Sequence, residues 1–521
     1  MYSKFTFSLC ILLFSFTVSN AQFGRIDSTF GTNGIVKTVV GATGQTICRN
    51  LLALPNGKIL ATGYSNTGSS NVFTVIRYLT NGSVDTVFGK KGIATLAVAG
   101  SPSSFGYCSV LEPGGKILVG GDYYNGTSYN FAVGRFNADG SVDTTFGNKG
   151  AATFSVGTSA TIDNVGQAIE LQSDGKIILA GTSFNNGTTD FTVVRFNSNG
   201  TVDSTFGNKG AVITPIGAGN DNCYSMTVQA DDKIILGGDI NQGTAYVFTA
   251  VRYLKNGAID LSFANAGIFI DSIGVNDDDY GYAIEMQADQ KILFGGTART
   301  ANGYDFALMR LNTNGALDNT FGKSGKVFTD FKGGVNGGSI DYGKCIAIQP
   351  DGKIVMGGRT FLNGSEFGVA RYLSNGAPDL SFSDSGMVVC KAGNAQHYGN
   401  GIVIDSYGRI VLGGNATEAL PDYFVLVRFT SGLSVGVRSM LSSELESVKI
   451  FPVPANTSFE IQGKDAIESI SVSDISGKVI WGKTNLAQGD IFPVSNLSNG
   501  IYWIRLTTRK ETITKKLVVN H

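Results

Sequence analysis

Histidine is almost missing from this chain, with only His397 and His521 among 521 residues. That scarcity removes most general-base, triad and zinc chemistry. Charge is also sparse: 16% of residues are charged and the net charge is −1. Such a balance gives no electrostatic basis for binding nucleic acid. Cysteine is rare. Cys10 lies in the N-terminal apolar segment, and Cys48, Cys108, Cys223, Cys345 and Cys390 remain. Five scattered cysteines make neither a disulfide framework nor a zinc-ligand spacing, so free thiols are expected. Long apolar runs are missing after residue 21, and nothing approaches the ~20 residues of a membrane span. Residues 1–21 read as a secretory signal: Lys4 supplies the positive start, Leu9 to Phe16 the apolar run, and Ser19 and Ala21 the small residues before a cut. The mature chain is expected to start near Gln22, soluble and outside the inner membrane. No phosphate-binding loop or nucleophile elbow occurs, and no catalytic residue is assigned.

What is present is repetition. An arginine recurs at Arg77, Arg135, Arg195, Arg252, Arg310, Arg371 and Arg428, and an aspartate at Asp27, Asp85, Asp143, Asp203, Asp260, Asp318 and Asp379. The spacing is 57 to 61 residues, which means stacked structural units. Gly 70 and 42% hydrophobic content suit short strands and tight turns. Alternating apolar residues between Gly, Asn and Asp punctuation give four strands per unit. In one unit these are Phe105 to Leu111, Lys116 to Gly121, Phe131 to Phe136 and Gly150 to Val156. Seven such units predict an all-β, seven-bladed β-propeller over residues 22–430. Residues 22–40 carry only a turn and a fourth-type strand, while residues 399–429 carry three strands and no fourth. The N-terminal strand is therefore expected to close the ring, pairing Asp27 with Arg428. Residues 431–447 read as a linker. Residues 448–521 lose the repeat and predict a small Ig-like β-sandwich, with strands at Val448 to Phe451, Phe459 to Gln462, Ile470 to Asp474, Lys478 to Trp481, Ile501 to Thr507 and Ile513 to Val519.

Two resemblances follow from these motifs. Units such as Asp174-Gly175-Lys176-Ile177, Val194-Arg195-Phe196 and Val202-Asp203-Ser204-Thr205-Phe206-Gly207 resemble the delta-60 repeat family over about residues 26–430. Arg409 replaces the lysine of its Gly-Lys-Ile motif, and Asp232 and Gln290 replace the glycine. The family implies a propeller and no common activity. The tail is similar to the C-terminal sorting domain of type IX secretion in Bacteroidota. Ile450-Phe451-Pro452-Val453-Pro454-Ala455-Asn456, Ile475-Ser476-Gly477-Lys478-Val479, Leu497-Ser498-Asn499-Gly500-Ile501-Tyr502 and Lys515-Lys516-Leu517-Val518 carry the match. Val453 stands where that family usually has asparagine. This resemblance implies handling of residues 448–521 by the type IX secretion machinery and delivery to the outer cell surface or the medium.

The recurring arginines are read as scaffold, each paired with a recurring aspartate, because buried charges need partners. Gly-Gly pairs such as Gly120-Gly121 are read as strand ends that let blades pack closely. Two kinds of connection vary among the units, the fourth-to-first and second-to-third, and they emerge on one face. A specific site is expected there, since loops on a rigid scaffold carry function. Asn164, Asp221, Asp279 and Asp341 form an acidic column on that face, with Asp277 and Asp278 near, and oxygen ligands of this type suit calcium. Calcium is the one candidate cofactor. His397, in the same column, is read as a surface or channel-mouth residue. The function expected is an exported binding or surface-interaction module for an extracellular glycan or protein. The alternatives are a propeller enzyme performing metal-assisted hydrolysis of glycans or lactones, and a purely structural surface protein.

Overall fold

The computed structural model describes residues 23–41, 45–98, 101–156, 163–185, 187–243, 245–274, 278–331, 339–362, 364–383, 385–393, 396–417 and 422–431. In the tail it describes 448–451, 455, 457–463, 467–473, 479–484, 486, 490–498, 500–508 and 512–519. The expected signal 1–21, nearly all of the linker 431–447, Asp277 and most of the varied loops lie outside the described residues. No helix occurs among the described residues, so none is long and apolar enough to cross a membrane, which says nothing about a β-barrel. The chain divides into two units, residues 1–433 and 434–521.

Among the described residues the first unit holds seven sheets of four antiparallel strands, six of them in sequential order and one of those carrying a further two-residue strand. In the second sheet the strands are Ser103–Leu111, Ile117–Tyr124, Tyr129–Phe136 and Ala151–Phe154. Gly120 and Gly121 thus lie inside a strand and not at its end, which corrects the sequence reading. The first strands of the seven sheets are Thr46–Ala53, Ser103–Leu111, Asn164–Leu171, Asp221–Val228, Tyr280–Met286, Tyr342–Ile348 and Gln396–Ile404. Each touches the next, and the seventh touches the first. The seventh sheet takes its fourth strand from the other end of the chain: Ile35–Thr38 pairs antiparallel with Tyr423–Phe429, Ile35 opposite Val427.

The core lies between neighbouring sheets, where the second and third strands are almost wholly buried. One apolar cluster joins Cys108, Leu118 and Val133 of the second sheet to Ile169, Leu179 and Val194 of the third. Another joins Cys48, Ile59 and Ile76 of the first sheet to Val411, Phe424 and Leu426 of the seventh. All five described cysteines are free and buried. Burial pushes the Cys48 thiol up to about 12, as expected of cysteine serving as a small apolar residue.

Each recurring arginine is buried or nearly so and meets an aspartate, a phenylalanine ring and a backbone carbonyl about 60 residues away or across the chain ends. In the third sheet Arg195 Nε donates to Asp203 Oδ2 at 2.8 Å, and Lys176 meets that carboxylate at 2.9 Å. The Arg195 guanidinium lies 4.4 Å over the Phe206 ring, and its Nη1 donates to the Lys255 carbonyl of the next sheet's turn at 2.5 Å. The lysine of Gly-Lys-Ile, the arginine, the aspartate and the phenylalanine thus recur together because they form one charge cluster. The expected cross-chain pair is present: Arg428 Nε donates to Asp27 Oδ2 at 2.8 Å, and Arg428 also reaches the Thr80 carbonyl of the first sheet.

The second unit holds a three-stranded sheet (Val448–Phe451, Ser458–Gly463, Ile491–Pro493) and a four-stranded sheet (Val479–Thr484, Ile467–Ser473, Gly500–Thr508, Thr512–Val519). Phe459, Ile470, Val472, Phe492, Ile504 and Leu517 are among its buried core. Ile491–Pro493 is not among the strands read from the sequence. Three residues give too short an alternation to register.

Candidate ligand-binding cavity

Every first strand contains a β-bulge at the same place. In the second sheet Gly106 pairs with Gly121 and Cys108 with Gly120, and Tyr107 is the extra residue. The equivalent extra residues are Arg49, Gln167, Tyr224, Tyr282, Lys344 and Asn400. Glycine opposite the bulge makes it possible: a Cβ on Gly121 would sit 1.9 Å from the Phe105 carbonyl oxygen. Glycine just before the bulge lets the sheets converge, since a Cβ on Gly106 would meet the Gly63 oxygen at 2.6 Å. A bulge re-aims its side chain out of the ladder. All seven bulge residues line one central cavity of about 480 Å³, in the range that holds a small ligand.

In ring order the lining runs Tyr282, Lys344, Asn400, Arg49, Tyr107, Gln167 and Tyr224. Two cations thus flank one amide, with a tyrosine outside each. The Lys344 ammonium lies 3.0 Å over the Tyr282 ring, and the Arg49 guanidinium 5.3 Å over Tyr107. Neither cation forms an ion pair among the described residues, and the buried Arg49 Nε has no hydrogen-bond partner. Burial, reinforced by the charge of Arg49, pushes Lys344 down to about 7, although Asp239 opposes this. Deeper along the same strands stand Glu170 and Glu285. Burial pushes both up to about 7, and the Glu170 charge adds to the effect on Glu285.

Above the cavity the first strands begin with half-buried Phe105, Asn222, Tyr280, Tyr342 and Tyr398. Tyr280 and Tyr342 alternate with third-strand Tyr246 and Tyr304 in a ladder of rings. Tyr246 lies 5.6 Å from Tyr280, Tyr280 6.5 Å from Tyr304, and Tyr304 6.0 Å from Tyr342. Tyr280 stacks at 6.1 Å on Tyr282 and so joins the ladder to the cavity. Beneath it Asp239 is fully buried, accepts from Asn222 Nδ2 at 3.0 Å and leaves Oδ2 without a partner.

The acidic column sits on four successive sheets, and most of its side-chain oxygens are engaged with nearby loop backbone. Asp221 Oδ2 accepts from the Ile216 amide at 2.7 Å. Asp279 Oδ2 accepts from Ile273 and Gly274 at 2.9 Å, and its Oδ1 from Arg299 at 3.1 Å. Asp341 Oδ2 accepts from Phe331 at 3.0 Å. Asn164 Nδ2 donates to the Tyr129 carbonyl at 3.1 Å, and its Oδ1 has no partner. Among the described residues the carboxylates that do gather are Asp305, Asp330 and Asp341, with ligand atoms within 4.8 Å of one another. Burial and its two acidic neighbours push Asp341 up to about 6. Asp305 and Asp330 are absent from the sequence reading because no repeat column contains them.

His397 is not at the surface, contrary to expectation. It is fully buried, with Nε2 accepting from the Ala392 amide at 3.0 Å and Nδ1 donating to the Ser365 carbonyl at 2.7 Å. It makes the same loop bond as Asp221, Asp279 and Asp341, which explains why histidine can occupy that column. The bulge residues were also missed. Their signal was a column of large polar side chains between two columns of small ones.

The family described as domain of unknown function (DUF5122) beta-propeller matches residues 54–88, 113–146, 172–206, 229–263, 287–321 and 349–382. The secretion system C-terminal sorting domain matches residues 449–520. No curated protein matches the chain. Among solved structures, a protein of unknown function from Bacteroides caccae is similar at 12% identity and TM-score 0.33, covering 62% of this chain and 95% of that one. A PQQ-bound aldose sugar dehydrogenase from Streptomyces coelicolor gives 12% and 0.34, covering 76% and 98%. A gluconolactonase from Xanthomonas campestris gives 8% and 0.33, covering 75% and 99%. This chain carries six DUF5122 β-propeller repeats and a type IX secretion sorting domain, which marks it for export to the cell surface or beyond.

Proposed function

We propose that the exported chain is a seven-bladed propeller, closed by its N-terminal strand, that works as a binding module at the cell surface. The propeller spans residues 22–430. A small Ig-like sandwich at 448–521 engages the type IX secretion machinery. The pairing of Ile35–Thr38 with Tyr423–Phe429 and the Asp27–Arg428 bond support the closed ring. The observation that carries the binding role is the ladder from Tyr246 through Tyr280 and Tyr304 to Tyr342. Half-exposed aromatic rings beside a polar cavity, on the side from which the varied loops emerge, suit a glycan or a protein loop. The column Asn164, Asp221, Asp279 and Asp341 serves its own loops in this reading, and calcium is not needed for binding.

A glycan array probed with the mature chain tests the proposal. Saturable binding without turnover is expected, weakened by Tyr280→Ala and Tyr342→Ala. Turnover of a bound glycan would favour the enzyme. Binding indifferent to both substitutions would remove the ladder from the account.

A further inference from the structure

Every recurring arginine of the propeller has a carboxylate against it, at 2.7 Å for Arg77 and 2.9 Å for Arg252. Arg49 and Lys344 do not. They stand on either side of Asn400, close enough for the charge of Arg49 to oppose protonation of Lys344, with open cavity in front. Two like charges held out of bulk water without an ion pair are costly, and a folded chain keeps them only where something else compensates. Substitution of either by an apolar residue would relieve that cost, so stability does not explain them.

We propose that the central cavity binds the anionic end of a hydroxyl-rich ligand, a sugar unit bearing a carboxylate or a sulfate, which Arg49 and Lys344 pair with. Guanidinium and ammonium donors suit the anionic oxygens. Tyr107 and Tyr282 wall the cation pair. Gln167, Asn400 and the deeper Glu170 and Glu285 offer donors and acceptors for hydroxyl groups. Both glutamates lie further down their strands, three positions beyond the bulge residues Gln167 and Tyr282. Burial pushes both carboxyls up, which lessens repulsion of an anion. The Tyr280–Tyr282 stack connects the cavity to the outer ladder, so a chain whose terminal unit enters the cavity can lie along the rings.

This rests on the reading of the chain as a binding module. Calorimetry on the full mature protein, with a trigalacturonate, a sulfated galactan trisaccharide and an uncharged galactose trisaccharide, tests it. The charged sugars are expected to bind at least about tenfold more tightly than the uncharged one, and less tightly as salt rises. Whichever charged sugar binds better names the anion. Lys344→Met and Arg49→Gln should each weaken the charged sugars by about tenfold or more and so remove most of their advantage over the uncharged one. Lys344→Met should melt no lower than wild type, a result that a merely structural lysine would not give. Should Lys344→Met not fold, Arg49→Gln decides alone. Equal affinity for charged and uncharged sugars, charged binding indifferent to both substitutions, or no charged sugar bound would each overturn the proposal. If array ligands sensitive to Tyr280→Ala still bind in that case, only this inference falls. Loss of those too would overturn the binding module itself.

Discussion

Two sets of cations in this protein follow opposite rules. The recurring arginines are each met by an aspartate, a carbonyl from the next sheet and a phenylalanine ring, as at Arg310 with Asp318, Ser374 and Phe321. Arg49 and Lys344 have tyrosine rings and open cavity. A charge whose partners all come from the fold is there to hold the fold. A charge that faces a cavity without an ion pair is available to what enters it.

The largest effect should come from removing residues 23–38. This bares the edge of Tyr423–Phe429 and leaves Arg428 without Asp27. A sharp drop in melting temperature is expected, and an unchanged value would show that the N-terminal strand is dispensable. Next, Arg252→Leu should cost about 3–5 kcal/mol in urea denaturation, because it leaves buried Asp260 with Lys233, at 3.5 Å, as its remaining counter-charge. A cost near zero would return the arginines to the functional column. Third, acid should act through the same pairs. Burial pushes Asp260 up, but hydrogen bonds from Ser262 and the charges of Arg252 and Lys233 outweigh it and hold the carboxyl at about 2. Its folded pKa lies below its unfolded one. The stabilisation is therefore complete above about pH 4 and fades as pH falls toward about 2. A melting temperature flat across that window would contradict the pairing. Smallest is Lys344→Met, expected to leave stability within about 1 kcal/mol of wild type or above it. A large loss would make Lys344 structural and erase the contrast with Arg252.

Much of this architecture was legible because it repeats. The arginine and aspartate columns, the four strands per unit and the Arg428–Asp27 pair all follow from period and turn chemistry. The bulge escaped because strand reading assumes alternation, and an inserted residue breaks it. Ten and eight positions before the Gly-Lys-Ile lysine the side chains are small, as Gly106 and Cys108 show. The residue between them, Tyr107, faces the cavity for a reason visible only in the pairing register. The Asp305–Asp330–Asp341 group escaped for a different reason. Its members come from a strand, a strand end and the start of the next sheet, and only folding brings them together.

The Asp27–Arg428 bond also sets an order of events. The other arginine–aspartate pairs close over 8 residues, while this one closes over 401. Loop-closure entropy grows only with the logarithm of length, so the longer closure costs about 3–4 kcal/mol more. In time the difference is greater, because contacts this distant form late. Ile35–Thr38 precedes the other described strands along the chain and has no partner until Tyr423–Phe429 follows. The next residues along the chain are those leading to the sorting tail. The pairing of the N-terminal strand and the sorting tail therefore become available almost together, and an incomplete chain would present neither.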